Sequence, residues 1–163
     1  MAEQFELSDE MKAKIGWESP PWVYEVTTTS VRAFARGVGY TDPVYFDIDA
    51  AKKAGYRNLP APPTYLGTAV FIPGQSDDTF SWPNNGRPDL NPGLTGLLDG
   101  GTETEYFDTI CAGDTLKVVN RLKNLEVKDS KSLGKMLIIT TEITCTNQDD
   151  NIVAVQRGQS IFY

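Results

Sequence analysis

The residues best suited to chemistry in this chain stand in one short segment, Tyr40 to Tyr45, which reads YTDPVY. It holds one carboxylate, Asp42, between two phenols, Tyr40 and Tyr45. A phenol has a pKa of about 10 and is a poor base at neutral pH, whereas burial beside aromatic rings raises the pKa of a carboxylate toward the range of proton transfer. Asp42 also precedes Pro43, where an aspartate commonly accepts a hydrogen bond within a turn. We favour the turn, and keep Asp42 and Tyr45 as the candidates for catalysis.

The composition argues against several other kinds of chemistry. The 163 residues contain no histidine and two cysteines, Cys111 and Cys145, so we expect no metal site and two buried thiols in a reducing compartment. Fifteen Lys and Arg against 22 Asp and Glu give a net charge of −7, and nucleic-acid binding depends on clustered positive charge that is missing here. The polar N-terminus and the lack of a long apolar run predict a cytoplasmic protein without a membrane span.

The catalytic candidates must be positioned by the elements around them. The short run Trp22–Val26 contains β-branched and aromatic residues, which predicts a strand. Thr29 or Ser30 is expected to cap a helix with apolar residues at helical spacing, which Gly39 ends. A second short helix is predicted over Ala50–Ala54.

A second segment of interest is Ala61–Thr64, which reads APPT. Residues before proline avoid the helical region, so the chain should run extended and then enter a helix over Tyr65–Phe71. Residues 72–92 are rich in Pro, Gly, Ser, Asp and Asn and predict a long surface loop. Residues 1–20 are expected to form an N-terminal arm with a short helix capped by Ser8.

The final third of the chain predicts one strand after another, separated by turn signals. The predicted strands are Gly100–Phe107, Thr115–Val127, Met136–Asn147 and Ile152–Tyr163. Long antiparallel strands beside few helices indicate an α+β architecture. The length is that of one ordinary core, so residues 1–163 are interpreted as a single domain.

Taken together, these pieces resemble the MaoC-like family of (R)-specific enoyl-thioester hydratases and dehydratases over nearly the whole chain. The signature segment of that family reads Asp-x-Asn-Pro-x-His; here Tyr40, Asp42 and Tyr45 stand at the Asp, Asn and His positions, and Pro43 is kept. The stretch 112–116, AGDTL, is similar to the family's Gly-Asp-x-Leu turn. The nearest resemblance is to the N-terminal, fungal fatty-acid-synthase-like dehydratase branch, which includes subunits that lack the Asp/His dyad and pair with a subunit that has it.

The resemblance implies a single hot dog fold, an antiparallel sheet wrapped around a central helix, and the hydration or dehydration of acyl thioesters. A coenzyme A thioester would be the substrate, with no further cofactor. The reaction requires a positioned acid and base and donors for the enolate oxygen. Tyrosine at both dyad positions therefore predicts a substrate-binding, non-catalytic subunit, with Thr64 and Tyr65 at the helix start that supplies oxyanion donors in the family. The substrate-binding residues implied by the resemblance are Tyr40, Asp42, Tyr45, Pro63, Thr64 and Tyr65.

The resemblance also implies pairing, because hot dog domains generally join their sheets and place the active site between them. We expect the isolated chain to pair through a sheet edge, as a homodimer or as a heterodimer with a dyad-bearing MaoC-like subunit. Two other functions stay open: a homodimeric hydratase that uses a carboxylate such as Asp42, and a non-enzymatic protein that binds acyl thioesters or small ligands. Arg57 is predicted to be a solvated surface charge rather than a ligand of the coenzyme A phosphates. Asp47, Asp49 and Asp99 are interpreted as caps and turn residues.

Overall fold

The structure is a computed structural model that describes residues 5–67 and 88–163. Its helices are α1 (Asp9–Ala13), α2 (Thr28–Gly37) and α3 (Ile48–Lys53), with 3-10 helices at Pro43–Tyr45 and Tyr65–Gly67. Its strands are β1 (Trp22–Glu25), β2 (Leu97–Tyr106), β3 (Thr115–Ser130), β4 (Gly134–Thr146) and β5 (Ile152–Phe162). All five predicted strands are therefore present, with ends that differ by at most three residues from the prediction.

The strands form one antiparallel sheet in the order β1-β3-β4-β5-β2. Side chains alternate between its two faces, as strand geometry requires. Along β3, Leu116, Val118 and Leu122 are buried while Lys117 and Arg121 are exposed. The buried set faces the helices, and we call that side the inner face of the sheet.

Two hydrophobic clusters fill the inner face. The first lies under α2 and α3 and includes Val31, Ala51 and Leu59 with Leu116 of β3. The second lies further along the sheet, where Leu122, Leu137 and Ile139 pack against the N-terminal arm. Leu122 is fully buried, and complete burial of such a side chain stabilises the fold by roughly 1.5–3 kcal/mol.

The N-terminal arm is part of this packing. Ser8 caps α1 as predicted, with its hydroxyl accepting a hydrogen bond from the Met11 N–H at 3.2 Å. The next residues run beside β3: the Gly16 N–H donates to the Leu122 carbonyl at 2.8 Å, and the Leu122 N–H donates to the Trp17 carbonyl at 2.9 Å. The arm thereby extends the β1 side of the sheet.

Helix α2 begins earlier than predicted. Its cap is Thr27, and a reciprocal capping box joins it to Ser30: the Ser30 N–H donates to Thr27 Oγ1 at 3.0 Å, and the Thr27 N–H donates to Ser30 Oγ at 3.1 Å. The prediction of Thr29 or Ser30 as the cap was wrong, because all four residues of the Thr27–Ser30 run are good caps by type. Only the three-residue spacing of the box selects Thr27.

The predicted helix over Tyr65–Phe71 and the predicted loop 72–92 lie mostly outside the described residues. The described part of the helix, Tyr65–Gly67, is a 3-10 turn. Of the loop, residues 88–92 are described: Asp89 is exposed, while Leu90 packs against the second cluster. Within the described ranges, no helix has the length and apolarity needed to cross a membrane.

Candidate functional site

The YTDPVY segment forms a tight turn after α2. Gly39 adopts φ +80°, which lets the chain leave the helix, and the Tyr40 N–H donates back to the Ala35 carbonyl at 2.9 Å. Asp42 then caps the 3-10 helix Pro43–Tyr45, with its Oδ1 accepting the Val44 N–H at 3.0 Å. The structure thus gives Asp42 the turn role that the sequence favours.

The two tyrosines at the dyad positions lie against each other. The rings of Tyr40 and Tyr45 are stacked, with centroids 5.4 Å apart and planes inclined by 24°. Burial, and then the neighbouring Tyr40, Tyr56 and Asp42, raise the pKa of Tyr45 above its ordinary value. The Tyr45 phenol therefore stays protonated at neutral pH. It can donate a hydrogen bond to a ligand, but it cannot take a proton as a general base.

The turn is fastened to the helices on both sides. Arg32 of α2 donates from Nε to the Phe46 carbonyl at 2.9 Å. Asp47 caps α3, with Oδ1 accepting the Asp49 and Ala50 N–H groups at 2.8 and 3.0 Å. The stacked tyrosines are therefore held on a rigid support between two helices.

The second candidate segment, Pro63–Tyr65, is anchored through Tyr65. The Tyr65 ring is buried and meets Phe34 edge to face, at 5.7 Å and 82°, and its hydroxyl lies 2.8 Å from Ser30 Oγ. Burial raises the pKa of Tyr65. Pro63 and Thr64 are exposed.

The backbone N–H groups of Thr64 and Tyr65 are the predicted oxyanion donors of this segment. The Tyr65 N–H donates to the Pro62 carbonyl at 3.0 Å and is thus engaged within the turn.

Helix α2 carries both groups, at its two ends. Tyr65 docks on Ser30 in the first turn, whereas Tyr40 follows the last turn, which ends at Gly37. Seven residues of helix separate Ser30 from Gly37, which corresponds to about 10 Å at 1.5 Å per residue. The structure thus brings Tyr40, Asp42 and Tyr45 together and holds the Tyr65 hydroxyl at the other end of the helix.

Arg57 is a surface residue whose charge is paired. Its guanidinium forms an ion pair with Asp114, a carboxylate that is only 2% exposed, and Nη1 donates to the Thr109 carbonyl at 3.2 Å. The same carboxylate accepts the Cys111 N–H at 2.8 Å, and Gly113 at φ +98° closes the turn. The hydrogen bond to Asp114 raises the pKa of Arg57 above its ordinary value. Arg57 is exposed, as predicted; what the prediction lacked is its ion pair, because Asp114 lies 57 residues away in the sequence.

This Arg57–Asp114 turn also supports the proline segment. The Ala112 N–H donates to the Leu59 carbonyl at 2.8 Å, and the Ala61 N–H donates to the Ile110 carbonyl at 2.7 Å. The turn corresponding to the family's Gly-Asp-x-Leu motif therefore holds the chain that leads into Pro63–Tyr65.

A cavity of about 250 Å³ opens on the inner face of the sheet. It is lined by Pro88, Leu90, Asn120, Ile139, Thr141, Ile143, Ser160 and Phe162. Its volume lies just below the 300–1,000 Å³ of typical ligand pockets, so it suits a short chain or part of a longer one. Sequence reasoning missed these residues, although strand alternation places Asn120, in step with Val118 and Leu122, on the inner face.

Other reactive groups in the described ranges are not arranged for catalysis. Both cysteines are free and buried, as predicted, and burial raises the pKa of Cys145 to about 12. A thiol in that state is a poor nucleophile at neutral pH. No cluster of three or more His, Cys, Asp or Glu able to hold a metal occurs among the residues that the structure describes.

Comparisons with known proteins agree with this architecture. Residues 13–156 match the family described as the FAS1-like dehydratase domain region. A UPF0336 protein of Parafrankia sp. (strain EAN1pec) is 31% identical over 131 residues, covering 80% of this chain and 79% of the relative. A probable enoyl-CoA hydratase alpha subunit of Thermomonospora curvata is 25% identical over 138 residues, covering 81% of this chain and 43% of that protein.

A solved structure shows the same fold. The C-terminally truncated HadBC (3R-hydroxyacyl-ACP dehydratase) complex from Mycobacterium tuberculosis superposes with a TM-score of 0.67 at 21% identity, covering 91% of this chain and 96% of the other. The predicted α+β hot dog fold is thereby confirmed. The chain belongs to the FAS1-like dehydratase family of MaoC-like hot dog proteins.

Proposed function

We propose that this chain is a substrate-binding, non-catalytic subunit of an (R)-specific enoyl-CoA hydratase or 3-hydroxyacyl-thioester dehydratase. The observation that carries the proposal is the pair of stacked phenols, Tyr40 and Tyr45, at the positions of the family's acid–base dyad. The chain contains no histidine to replace them, and the raised pKa of Tyr45 keeps it protonated.

The remaining site residues suit binding rather than proton transfer. Tyr40, Asp42 and Tyr45 would form one wall of the thioester site, with Tyr45 as a hydrogen-bond donor. Pro63, Thr64 and Tyr65 would form the opposite wall, and the cavity on the inner sheet face would take an acyl group. The coenzyme A thioester is the substrate in this proposal.

The missing dyad would come from a partner of the same family. Assemblies of more than one subunit type occur among similar proteins, since one solved neighbour is a HadBC complex and one relative is named an alpha subunit. We propose a heterodimer in which the partner supplies the aspartate and histidine. Two free, buried cysteines support the cytoplasmic location that belongs to this proposal.

The alternative of a hydratase that uses Asp42 receives less support. Asp42 Oδ1 already accepts the Val44 N–H and caps a 3-10 helix, and the residue is exposed to solvent rather than enclosed in an apolar pocket.

Complementation with a dyad-bearing subunit tests the proposal. A MaoC-like subunit with Asp-x-Asn-Pro-x-His that co-purifies with this chain from its native cell would be assayed alone, and with the chain, on enoyl-CoA substrates. We expect turnover by the mixture that exceeds turnover by either subunit alone, by about 10²-fold or more over this chain. A co-purifying subunit whose activity is unchanged by this chain would contradict the proposal.

A further inference from the structure

The outer edge of β2 has no paired strand among the residues that the structure describes. β2 pairs with β5 on one side, and no strand of the described ranges pairs with its other side. Large apolar side chains are exposed at its two ends: Leu97 (58%) and Leu98 (45%) at one, Tyr106 (42%) and Phe107 (56%) at the other. An unpaired edge with exposed apolar residues is a surface that another chain can cover.

The middle of β2 is acidic. Glu103 and Glu105 are both exposed on the face of the sheet opposite to the cavity. No Lys or Arg occurs anywhere in β2, which reads LLDGGTETEY. The edge therefore presents the carboxylates of Glu103 and Glu105, with that of Asp99 nearer to Leu98, between two apolar ends.

Glu103 is the last member of a row of alternating charges across the outer face. The register pairs Arg121 of β3 with Glu142 of β4, Glu142 with Arg157 of β5, and Arg157 with Glu103 of β2. Arg157 Nε donates to Glu142 Oε2 at 2.8 Å, and its Nη1 lies 3.4 Å from Glu105 Oε2. The row runs positive, negative, positive, negative, so a further strand that continued it would carry a positive charge.

The β2 strand of a second copy cannot continue the row, because it contains no Lys or Arg, and the registers centred on the acids also oppose like charges. In a symmetric antiparallel pairing of β2 with the β2 of a second copy, each residue lies opposite the residue at the same distance on the other side of the two-fold axis. An axis at residue 103 sets Glu103 against Glu103, an axis at 104 sets Glu103 against Glu105 twice, and an axis at 105 sets Glu105 against Glu105. Like charges directly opposite each other destabilise a strand pair.

We propose that the β2 edge is built to pair with a strand that carries Lys or Arg opposite Glu103 and Glu105, and not with a second copy of this chain. The inference deepens the proposed function, on which it rests for the identity of the partner: it names the chemistry of the partner's edge. It also refines the expectation that the isolated chain pairs through its sheet edge, since self-pairing is opposed by charge.

The apolar ends argue against a purely protective role for the acids. Charged residues on an edge strand can serve to keep other strands away. Exposed apolar side chains favour association, so an edge that only kept other strands away would not expose such residues beside its charges. Those exposed here are Leu97, Leu98, Tyr106 and Phe107. Apolar ends around a charged centre instead combine a driving force for pairing with selection of the partner.

A variant of the chain itself can serve as the basic strand. In Glu103→Lys/Glu105→Lys, both homodimers, of wild type and of variant, oppose like charges, whereas the mixed dimer opposes unlike ones. Isotope-labelled wild-type chain would be mixed with the variant and the species counted by native mass spectrometry. We expect mixed dimers to predominate, with an affinity at least about tenfold above that of the wild-type homodimer, and to weaken at about 0.5 M salt.

The matched control carries the same change of charge elsewhere. In Glu10→Lys/Glu25→Lys, one exposed acid of α1 and one at the end of β1 are reversed, and this variant should mix with wild type no better than wild type with itself. Equal mixing by the control, or a wild-type homodimer as tight as the mixed dimer, would overturn the inference.

A neutral variant keeps the test decisive if the basic variant does not fold, as judged by circular dichroism. Glu103→Gln/Glu105→Gln should strengthen self-association of the isolated chain, and unchanged self-association would count against the inference. None of these measurements uses activity. A failure of complementation and a failure of charge-selected pairing are therefore observed separately.

Discussion

Two aspartates in two turns of this protein have different structural roles. Asp114 is buried and holds Arg57 and the Cys111 amide. Asp42 is exposed and caps a 3-10 helix through a single hydrogen bond to the Val44 amide. The first turn corresponds to the family's Gly-Asp-x-Leu motif, which is kept, and the second to its catalytic motif, of which only Pro43 is kept.

The difference follows from what each turn is needed for. Ala112 of the Asp114 turn is hydrogen-bonded to Leu59, and Ile110, just before the turn, is hydrogen-bonded to Ala61 of the proline segment. A loss in this turn therefore displaces several elements at once. The Asp42 turn carries two stacked phenols, and Asp42 itself is exposed. Its side chains can therefore change without cost to the sheet.

The largest effect is expected for Asp114→Asn. The neutral amide cannot replace a buried carboxylate that accepts from a guanidinium and a backbone amide, and the loss should lower the free energy of unfolding by about 3 kcal/mol. Urea unfolding of wild type and variant measures the difference.

A double variant checks that the loss belongs to the ion pair. Arg57→Gln combined with Asp114→Asn should cost less than the sum of the two single changes, because the partners are in direct contact. Additive losses, or a cost of Asp114→Asn below about 0.5 kcal/mol, would mean that the two turns do not differ as described.

The same substitution at the other turn should have little effect. Asparagine caps helices about as well as aspartate, so Asp42→Asn should change the free energy of unfolding by no more than about 0.5 kcal/mol. Asp42→Ala, which removes the acceptor, should cost about 1 kcal/mol. An Asp42→Asn loss comparable to that of Asp114→Asn would show that the charge of Asp42 is needed by the fold.

The sequence predicted the local features of both turns and missed the distant contacts. The alternation of side chains predicted the strands. Ser or Asp at the start of a helical turn predicted the caps Ser8, Asp42 and Asp47. Both features depend on neighbours in the sequence. The ion pair of Arg57 was missed because its partner is remote in sequence, and the box of Thr27 with Ser30 was missed because the run of four hydroxyl residues offers several caps. The unpaired edge of β2 in the described ranges follows from strand order, which no local pattern encodes.

The candidate site was predicted in part for the same reason. The residues at the dyad positions were found from a motif, and the structure shows that Tyr40 and Tyr45 stack. The cavity residues Asn120, Thr141 and Ser160 come from three strands, and only their inward register reveals them. The engagement of the Tyr65 amide with Pro62 depends on the local turn geometry and could not be read from residue types.

The most direct test of the account is the hydration of crotonyl-CoA by the purified chain alone, followed by the loss of the ultraviolet absorbance of the enoyl thioester. We predict a rate at or near background, because each missing acid–base group removes about 10²–10⁴-fold, and the same rate for Asp42→Asn. Robust hydration by the unmodified chain, abolished by Asp42→Asn with the free energy of unfolding unchanged, would contradict the non-catalytic assignment and make Asp42 the acid–base residue.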